Sequence, residues 1–298
     1  GGVALLLALL AWTLLHAGTM WLNAALDRDE GEVLWGEAAA VPSMATAWGY
    51  GALLACVAVG WAAGPAVGAC SAGCALLAVL YSHPATVWKA HPLGGPLVNG
   101  LGYGLLSPIA GFSAAGVSPT WRALAVLGLG LCGVMAAYYA AQAFQEDEDR
   151  ERGYRTLAAR KGGAAAVQAV RLWTLLGLGG AVLLAAVGWV PRPMLVFVPA
   201  AVWLDRYLVA WRDREGGPDS AGARGYATRL FSLCMLGLAL LFAVYLRASY
   251  RDEPVAGLNT AAGHPPDRPL LSPLEMRRWE AIEQQRARQG IDAGSTHW

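Results

Sequence analysis

The stretch NAALDRDEGEVLWGE, Asn23 to Glu37, follows 22 residues without a single charged side chain. Six of its fifteen residues are charged, and five of those six are acidic. About 20 apolar residues suffice to cross the hydrocarbon of a bilayer. A span that ends in clustered carboxylates calls for a cation beside it. Asn23 and Asp27 stand four residues apart and so share one face of a helix leaving the membrane.

Composition agrees with a membrane reading. The chain has 298 residues, 56% hydrophobic and only 14% charged, with a mean hydropathy of +0.41. Soluble domains carry about 25% charge, so this is an integral membrane protein. A net charge of +1 gives no basic field, and no nucleic acid partner is expected. The five cysteines, Cys56, Cys70, Cys74, Cys132 and Cys234, all lie in apolar runs and read as small packing residues. The apolar run opens at Gly1 rather than at a Met and has no basic n-region, unlike a cleavable signal. An upstream segment is therefore expected.

Candidate spans are 1–22, 41–63, 66–82, 97–116, 121–144, 164–188, 191–211 and 229–247, eight helices with a break at Gly64-Pro65. The expected fold is an all-α polytopic bundle over 1–247, followed by a polar tail over 248–298 with a short surface helix in PLEMRRWEAIEQQRARQG. Long polar loops (23–40, 83–96, 145–163, 212–228) alternate with short connections, so they share one side. They hold Arg28, Lys89, Arg150, Arg152, Arg155, Arg160, Lys161, Arg212, Arg214 and Arg224, and the positive-inside rule places that side in the cytoplasm.

The second acidic loop reads QEDEDRERGYRTLAARKG, Gln145 to Gly162. Asp149 can share a face with Gln145 and Glu146, while Asp147 turns elsewhere if the helix continues. Carboxylates and carboxamides are hard oxygen donors suited to Mg²⁺ held together with substrate phosphates. A solvated charge run is the plain alternative for either loop alone. Two such loops at one end of the bundle shift the balance toward a site. A third element is LYSHPATVWK, Leu80 to Lys89; Lys89 is the lone charge between Glu37 and Arg122 and reads as a phosphate partner or an interfacial anchor. Arg171 and Asp205-Arg206 fall inside spans, where ionisable groups usually face the bundle interior. Asp205 is the better candidate for a cavity-lining group, and a structural ion pair is the alternative. Tyr138 and Tyr139 read as packing residues, and most of the 13 Trp as interfacial anchors.

Taken in order, Asn23-Ala-Ala-Leu-Asp27, Tyr81-Ser82-His83-Pro84 with Lys89, and Asp149-x-x-x-Gly153-x-x-Thr156-Leu157 resemble the UbiA superfamily of intramembrane prenyltransferases. The resemblance runs to residue 247 and implies nine helices, with the first lying upstream of this chain. Departures are Ala24 and Gly31 where Asp is usual, Gln145 for the first Asp of the second signature, and the missing Arg-Pro after the first. The resemblance implies a Mg²⁺-dependent enzyme that ionises an isoprenyl diphosphate and passes the allylic group to a hydrophobic acceptor, aromatic (quinone-precursor-like) or lipid, within the bilayer. It implies Asn23, Asp27, Asp147 and Asp149 as metal ligands, with Glu146 and Gln145 as substitutes. Lys89, Arg28 and Tyr81 would bind the diphosphate, and Asp205 and Arg171 are candidates for the acceptor cavity. Asp27, Asp149 and Lys89 are the expected catalytic set. A terpene cyclase on the same scaffold, or a non-catalytic prenyl-lipid-binding protein with degraded metal motifs, stands as the alternative.

Overall fold

A computed structural model describes residues 2–27, 32–33, 36–37 and 40–251. Seven helices among them are long and apolar enough to cross a membrane: Gly2–Asp27, Ala45–Ala63, Pro65–Ser82, Trp121–Gln142, Gly163–Ala186, Arg192–Arg212 and Ser220–Val244. In chain order the α-helices are α1 (Gly2–Asp27), α2 (Ala45–Ala63), α3 (Pro65–Ser82), α4 (Gly94–Leu101), α5 (Ser107–Ala115), α6 (Trp121–Gln142), α7 (Glu146–Glu151), α8 (Leu157–Lys161), α9 (Gly163–Ala186), α10 (Val198–Arg212) and α11 (Ser220–Arg251). A minimal antiparallel pair, β1 (Glu32–Val33) and β2 (Gly36–Glu37), follows α1.

The break between α2 and α3 falls where expected. Gly64 sits at φ +150° and Pro65 opens the next helix, where its missing N–H leaves no bond unmade.

Three expectations need correction. The span expected at 97–116 is not one plain helix but α4 and α5 joined by a π-helical turn, Gly102–Leu106. Pro108 explains the break: it has no N–H to give the carbonyl four residues back, and its ring would collide with that carbonyl. The wider turn relieves both. Likewise, the span expected at 191–211 opens with a 3₁₀ stretch, Arg192–Phe197, before α10. The last helix starts at Ser220, not 229, so Arg224 is helical rather than in a loop, and it runs beyond 247 to Arg251.

The core divides in two. Ala11, Leu15, Leu22, Leu53, Cys56, Cys74 and Ala78 tie α1, α2 and α3 together, with a smaller cluster joining α1 and α3 to α5 through Ala110 and Ala114. Ala136, Ala140, Val167, Val170, Leu204, Leu208, Trp211 and Tyr226 form the core of α6, α9, α10 and α11. Close approach depends on small residues, as is usual where lipid supplies no hydrophobic drive between helices. A Cβ on Gly18 would meet the Gly49 carbonyl and Leu53 of α2 at 2.9 Å. The five cysteines are free, and Cys56, Cys70 and Cys74 are buried. The expected tail helix over 248–298 lies, beyond Arg251, outside the described residues.

Candidate active site at the loop end of the bundle

Helix α1 delivers Asn23 and Asp27 to its last turn, one above the other. Helix α3 delivers Tyr81 and Ser82 beside them, and the loop after it turns back through a 3₁₀ turn, Trp88–Ala90, that inserts Lys89. Val87 at φ +42° makes that reversal possible, an unusual conformation for a β-branched residue. The result is a compact polar knot. The Lys89 ammonium contacts the Asp27 carboxylate, and both side chains are only 9% exposed. Lys89 Nζ also donates to Asn23 Oδ1 at 3.2 Å, and the Ser82 hydroxyl donates to the same oxygen at 3.1 Å. The Tyr81 ring lies under the ammonium, 6.0 Å from its centroid.

The second acidic loop joins this knot from α6. Its backbone is tied to the Lys89 loop by Arg155 N–H donating to Ala90 O at 2.8 Å. Within it Asp149 is buried, and the Thr156 hydroxyl donates to Asp149 Oδ2 at 2.5 Å. Thr156 also caps α8 by accepting from Ala159 N–H, so one side chain fixes both a helix start and a carboxylate. Burial raises the Asp149 carboxyl above its ordinary value and Glu148 adds to the rise, while the Thr156 hydrogen bond and the Arg152 and Lys89 cations act against it. Burial, with Arg152 nearby, pulls the Lys89 ammonium down to about 8, and Asp149 and Glu148 oppose that. The Asp27 carboxylate in contact opposes it too. Lys89 is thus the electrostatic link between the two acidic loops.

Not every expected residue joins. Asp147 points to solvent, its side chain 94% exposed, because it lies on the opposite face of α7 from buried Asp149. Glu146 accepts from Gly163 N–H and pairs with Arg150, so it fastens α7 to the start of α9. Gln145 occupies the N-cap position of α7. Arg171 and Asp205 form a two-pronged pair with each other, Nε to Oδ1 2.5 Å and Nη2 to Oδ2 3.2 Å. Arg28 lies outside the described residues. Two residues escaped the sequence reading. Thr156 was visible only as part of a signature, and Arg152, paired with Glu148 at 2.6 Å, only as one loop charge among many.

Beneath the knot a cavity of about 220 Å³ descends into the bundle between α1, α3 and the π turn. Asn23, Tyr81 and Asn99 line it at the polar end; Leu15, Cys74 and Ser107 line it at the deep end. Neither Arg171 nor Asp205 is among its lining residues. A polar mouth over an apolar shaft suits an amphiphile with an anionic head and a hydrocarbon tail.

The donor set fits a hard divalent cation. Asn23, Asp27 and Asp149 offer oxygen ligands, and Mg²⁺ completes its shell with water and phosphate oxygens rather than with a full protein cage. The ammonium already lodged against Asn23 and Asp27 marks the place as one built for positive charge. Among the described residues no group of three His, Cys, Asp or Glu is assembled by the protein alone.

A family model for the UbiA prenyltransferase family matches residues 2–233. Structures of a UbiA homolog from Archaeoglobus fulgidus share the fold. The complex with GPP and Mg²⁺ superposes with a TM-score of 0.59 at 16% identity, covering 81% of this chain and 88% of the other. The complex with DMAPP and Mg²⁺ gives 0.57 at 17% identity with the same coverage, and the Cd²⁺-bound form gives 0.53 at 17% identity. The sequence matches no curated protein.

Proposed function

The chain belongs to the UbiA prenyltransferase family, and on that premise we propose that it transfers an isoprenyl group from a prenyl diphosphate to an aromatic or lipid acceptor within the membrane. The observation that carries this reading is Lys89, held against Asn23 and Asp27 within electrostatic reach of Asp149, at the mouth of an apolar shaft. Asn23, Asp27 and Asp149 would hold the Mg²⁺, and Lys89 with Arg152 would face the diphosphate. The binding of GPP and DMAPP with Mg²⁺ by a homolog of this fold supports the pairing of prenyl diphosphate and metal.

In the reaction the C1–O bond breaks, the diphosphate leaves with the electron pair, and C1 becomes an allylic cation. An electron-rich atom of the acceptor forms the new bond to C1 and then releases a proton. Bound Mg²⁺ supplies Lewis-acid neutralisation of the leaving charge. The protein's own share is positional. Lys89 places a cation where negative charge grows on the departing oxygen, in a site preorganised by Asn23 and Asp27. Thr156 holds the Asp149 carboxylate in one orientation. Helices α1, α3 and α4–α5 wall the tail from water, which keeps the cation from hydrolysis. We place the loops bearing Asp27, Lys89 and Asp149 in the cytoplasm, where a water-soluble diphosphate headgroup can reach them, and treat 1–247 as the catalytic domain with 248–298 as a polar tail.

The test is purified protein in lipid nanodiscs with Mg²⁺, labelled prenyl diphosphates and electron-rich aromatic acceptors. Mg²⁺-dependent diphosphate release with a prenylated acceptor is expected. A cyclised hydrocarbon formed without acceptor would replace the acceptor part of the reading. Failure to bind any prenyl diphosphate in the presence of Mg²⁺ would overturn it entirely.

A further inference from the structure

Helix α1 carries one ionisable side chain before Asp27, and it is His16. Eleven residues separate the two, about 16 Å along the helix axis. The imidazole therefore sits deep in the span, too far from the loop end to snorkel to the headgroups. Ionisable groups at such depth are costly to keep and mark functional positions. His16 lines the cavity. With Thr19 and Asn23, at spacings of three and four, it makes a polar line along the cavity face of α1. That line rises about 10 Å from the imidazole to the metal end.

One ring contact places the imidazole. It stacks on Tyr103, in the π turn, with ring centroids 5.8 Å apart and planes 18° from parallel. Among the described residues its two nitrogens have no hydrogen-bond partner. His16, Met20 and Tyr103 are exposed, so the cavity is open on this side, between α1 and the π turn. The nitrogens are thus free to meet a molecule that enters the cavity from the bilayer.

The reaction proposed above ends with a proton to be placed, and the carboxylates do not suit. Asp27 is engaged with Lys89, Asp149 with Thr156, and Asp205 with Arg171 away from the cavity. The other titratable groups lining the cavity are Cys74 and Tyr81 on α3 and Tyr103 itself. Thiols and phenols hold their protons at neutral pH, whereas a neutral imidazole offers a lone pair.

We infer that His16 is a catalytic residue that accepts the proton of a hydroxyarene acceptor as that acceptor is prenylated, with Tyr103 positioning it. This rests on the prenyl-diphosphate reading above. As a ring carbon of the acceptor bonds to C1, positive charge appears on its hydroxyl oxygen. The O–H bond breaks, its electron pair stays on oxygen, and the proton moves to an imidazole nitrogen. The keto product then tautomerises to the phenol. The face of the Tyr103 ring steadies the imidazolium until its proton is returned to water at the polar mouth.

The experiment uses the protein in nanodiscs with Mg²⁺, labelled geranyl diphosphate and three acceptors: 1-naphthol, hydroquinone and 4-methylphenol. Wild type is compared with His16→Gln and His16→Ala. Geranyl diphosphate affinity, measured separately by calorimetry, should stay within about threefold in both variants. Turnover to prenylated product should fall about 100- to 1,000-fold, the share of a positioned base. Added imidazole should raise turnover of His16→Ala at least about tenfold and do nothing for Asp149→Asn. Tyr103→Leu removes the aromatic face and should lower turnover about tenfold with geranyl diphosphate affinity kept. It gives a second reading if the His16 variants misfold. Three results would refute the role of His16 while leaving prenyl-diphosphate chemistry in place. One is turnover of His16→Gln within about threefold of wild type. Another is a loss of geranyl diphosphate affinity in parallel with turnover, and the third is diphosphate release by wild type with no hydroxyarene prenylated. Wild type that binds no geranyl diphosphate with Mg²⁺ would instead refute the reading on which it rests.

Discussion

Replacing Lys89 by methionine keeps most of the side-chain length and removes the charge, leaving the Asp27 carboxylate, 9% exposed, without its cation. Asn23 Oδ1 loses one donor but keeps the Ser82 hydroxyl. Removing one partner of a buried ion pair destabilises by about 3–5 kcal/mol. The lower end applies here, because the pair sits at the edge of the bilayer near loops. About 3 kcal/mol corresponds to a Tm lower by roughly 6–12 °C for a domain of this size. Added Mg²⁺ without substrate should recover part of that loss in Lys89→Met, since the metal takes the vacated place, and should do little for wild type. Prenyl-diphosphate affinity should fall by about 1.5–3 kcal/mol, roughly 10- to 150-fold, whereas a prenyl alcohol should bind both proteins equally. The decisive assay is a double-mutant cycle with Asp27→Asn, read by thermal unfolding in detergent. The structure requires a coupling of at least about 1 kcal/mol; additivity within about 0.3–0.5 kcal/mol would refute the contact. Unchanged diphosphate affinity and turnover would return Lys89 to a mere interfacial anchor.

The remaining expectations concern the other loop, the intramembrane pair and topology. Asp149→Asn should abolish Mg²⁺-dependent prenyl-diphosphate binding, and Thr156→Val should weaken it by about 1 kcal/mol through loss of the hydrogen bond that orients the carboxylate. Asp147→Asn should change neither, since that side chain is 94% exposed; a large effect on metal affinity by calorimetry would contradict the geometry. Arg171→Gln should lower the melting temperature without moving the KM for prenyl diphosphate, because its partner is Asp205 and neither lines the cavity. Single cysteines placed at Pro84, Glu151 and Gly217 in a background without native cysteines should react with an impermeant reagent from one side only. Labelling of the first two from opposite sides would break the site.

Sequence alone determined the class and most of the plan of this protein. Long uncharged runs can satisfy a backbone in hydrocarbon only as helices, so composition and spacing were enough for a helical bundle. Asn23 and Asp27, four apart, and the lone charge at Lys89 were legible as candidates because a helix has a fixed period and a charge beside a membrane is rare, and the structure brings the three together. Gly64-Pro65 was legible as a break because both residues act locally. What sequence could not settle were questions of direction and depth. The acidic run at Glu146–Asp149 looks uniform, yet α7 turns Asp149 inward and Asp147 to water, a choice made by how that helix docks on α9 and by Thr156 from the next element. Arg171 and Asp205 are 34 residues apart, and only the packing of α9 on α10 makes them partners rather than cavity groups. The cavity lies against a π turn that a hydropathy pattern does not register, and the Trp12–Ser107 hydrogen bond ties α1 to α5 across 95 residues. Helical periodicity is written in neighbours along the chain, whereas a cavity is the space left where three helices fail to touch, and that is decided only when they pack.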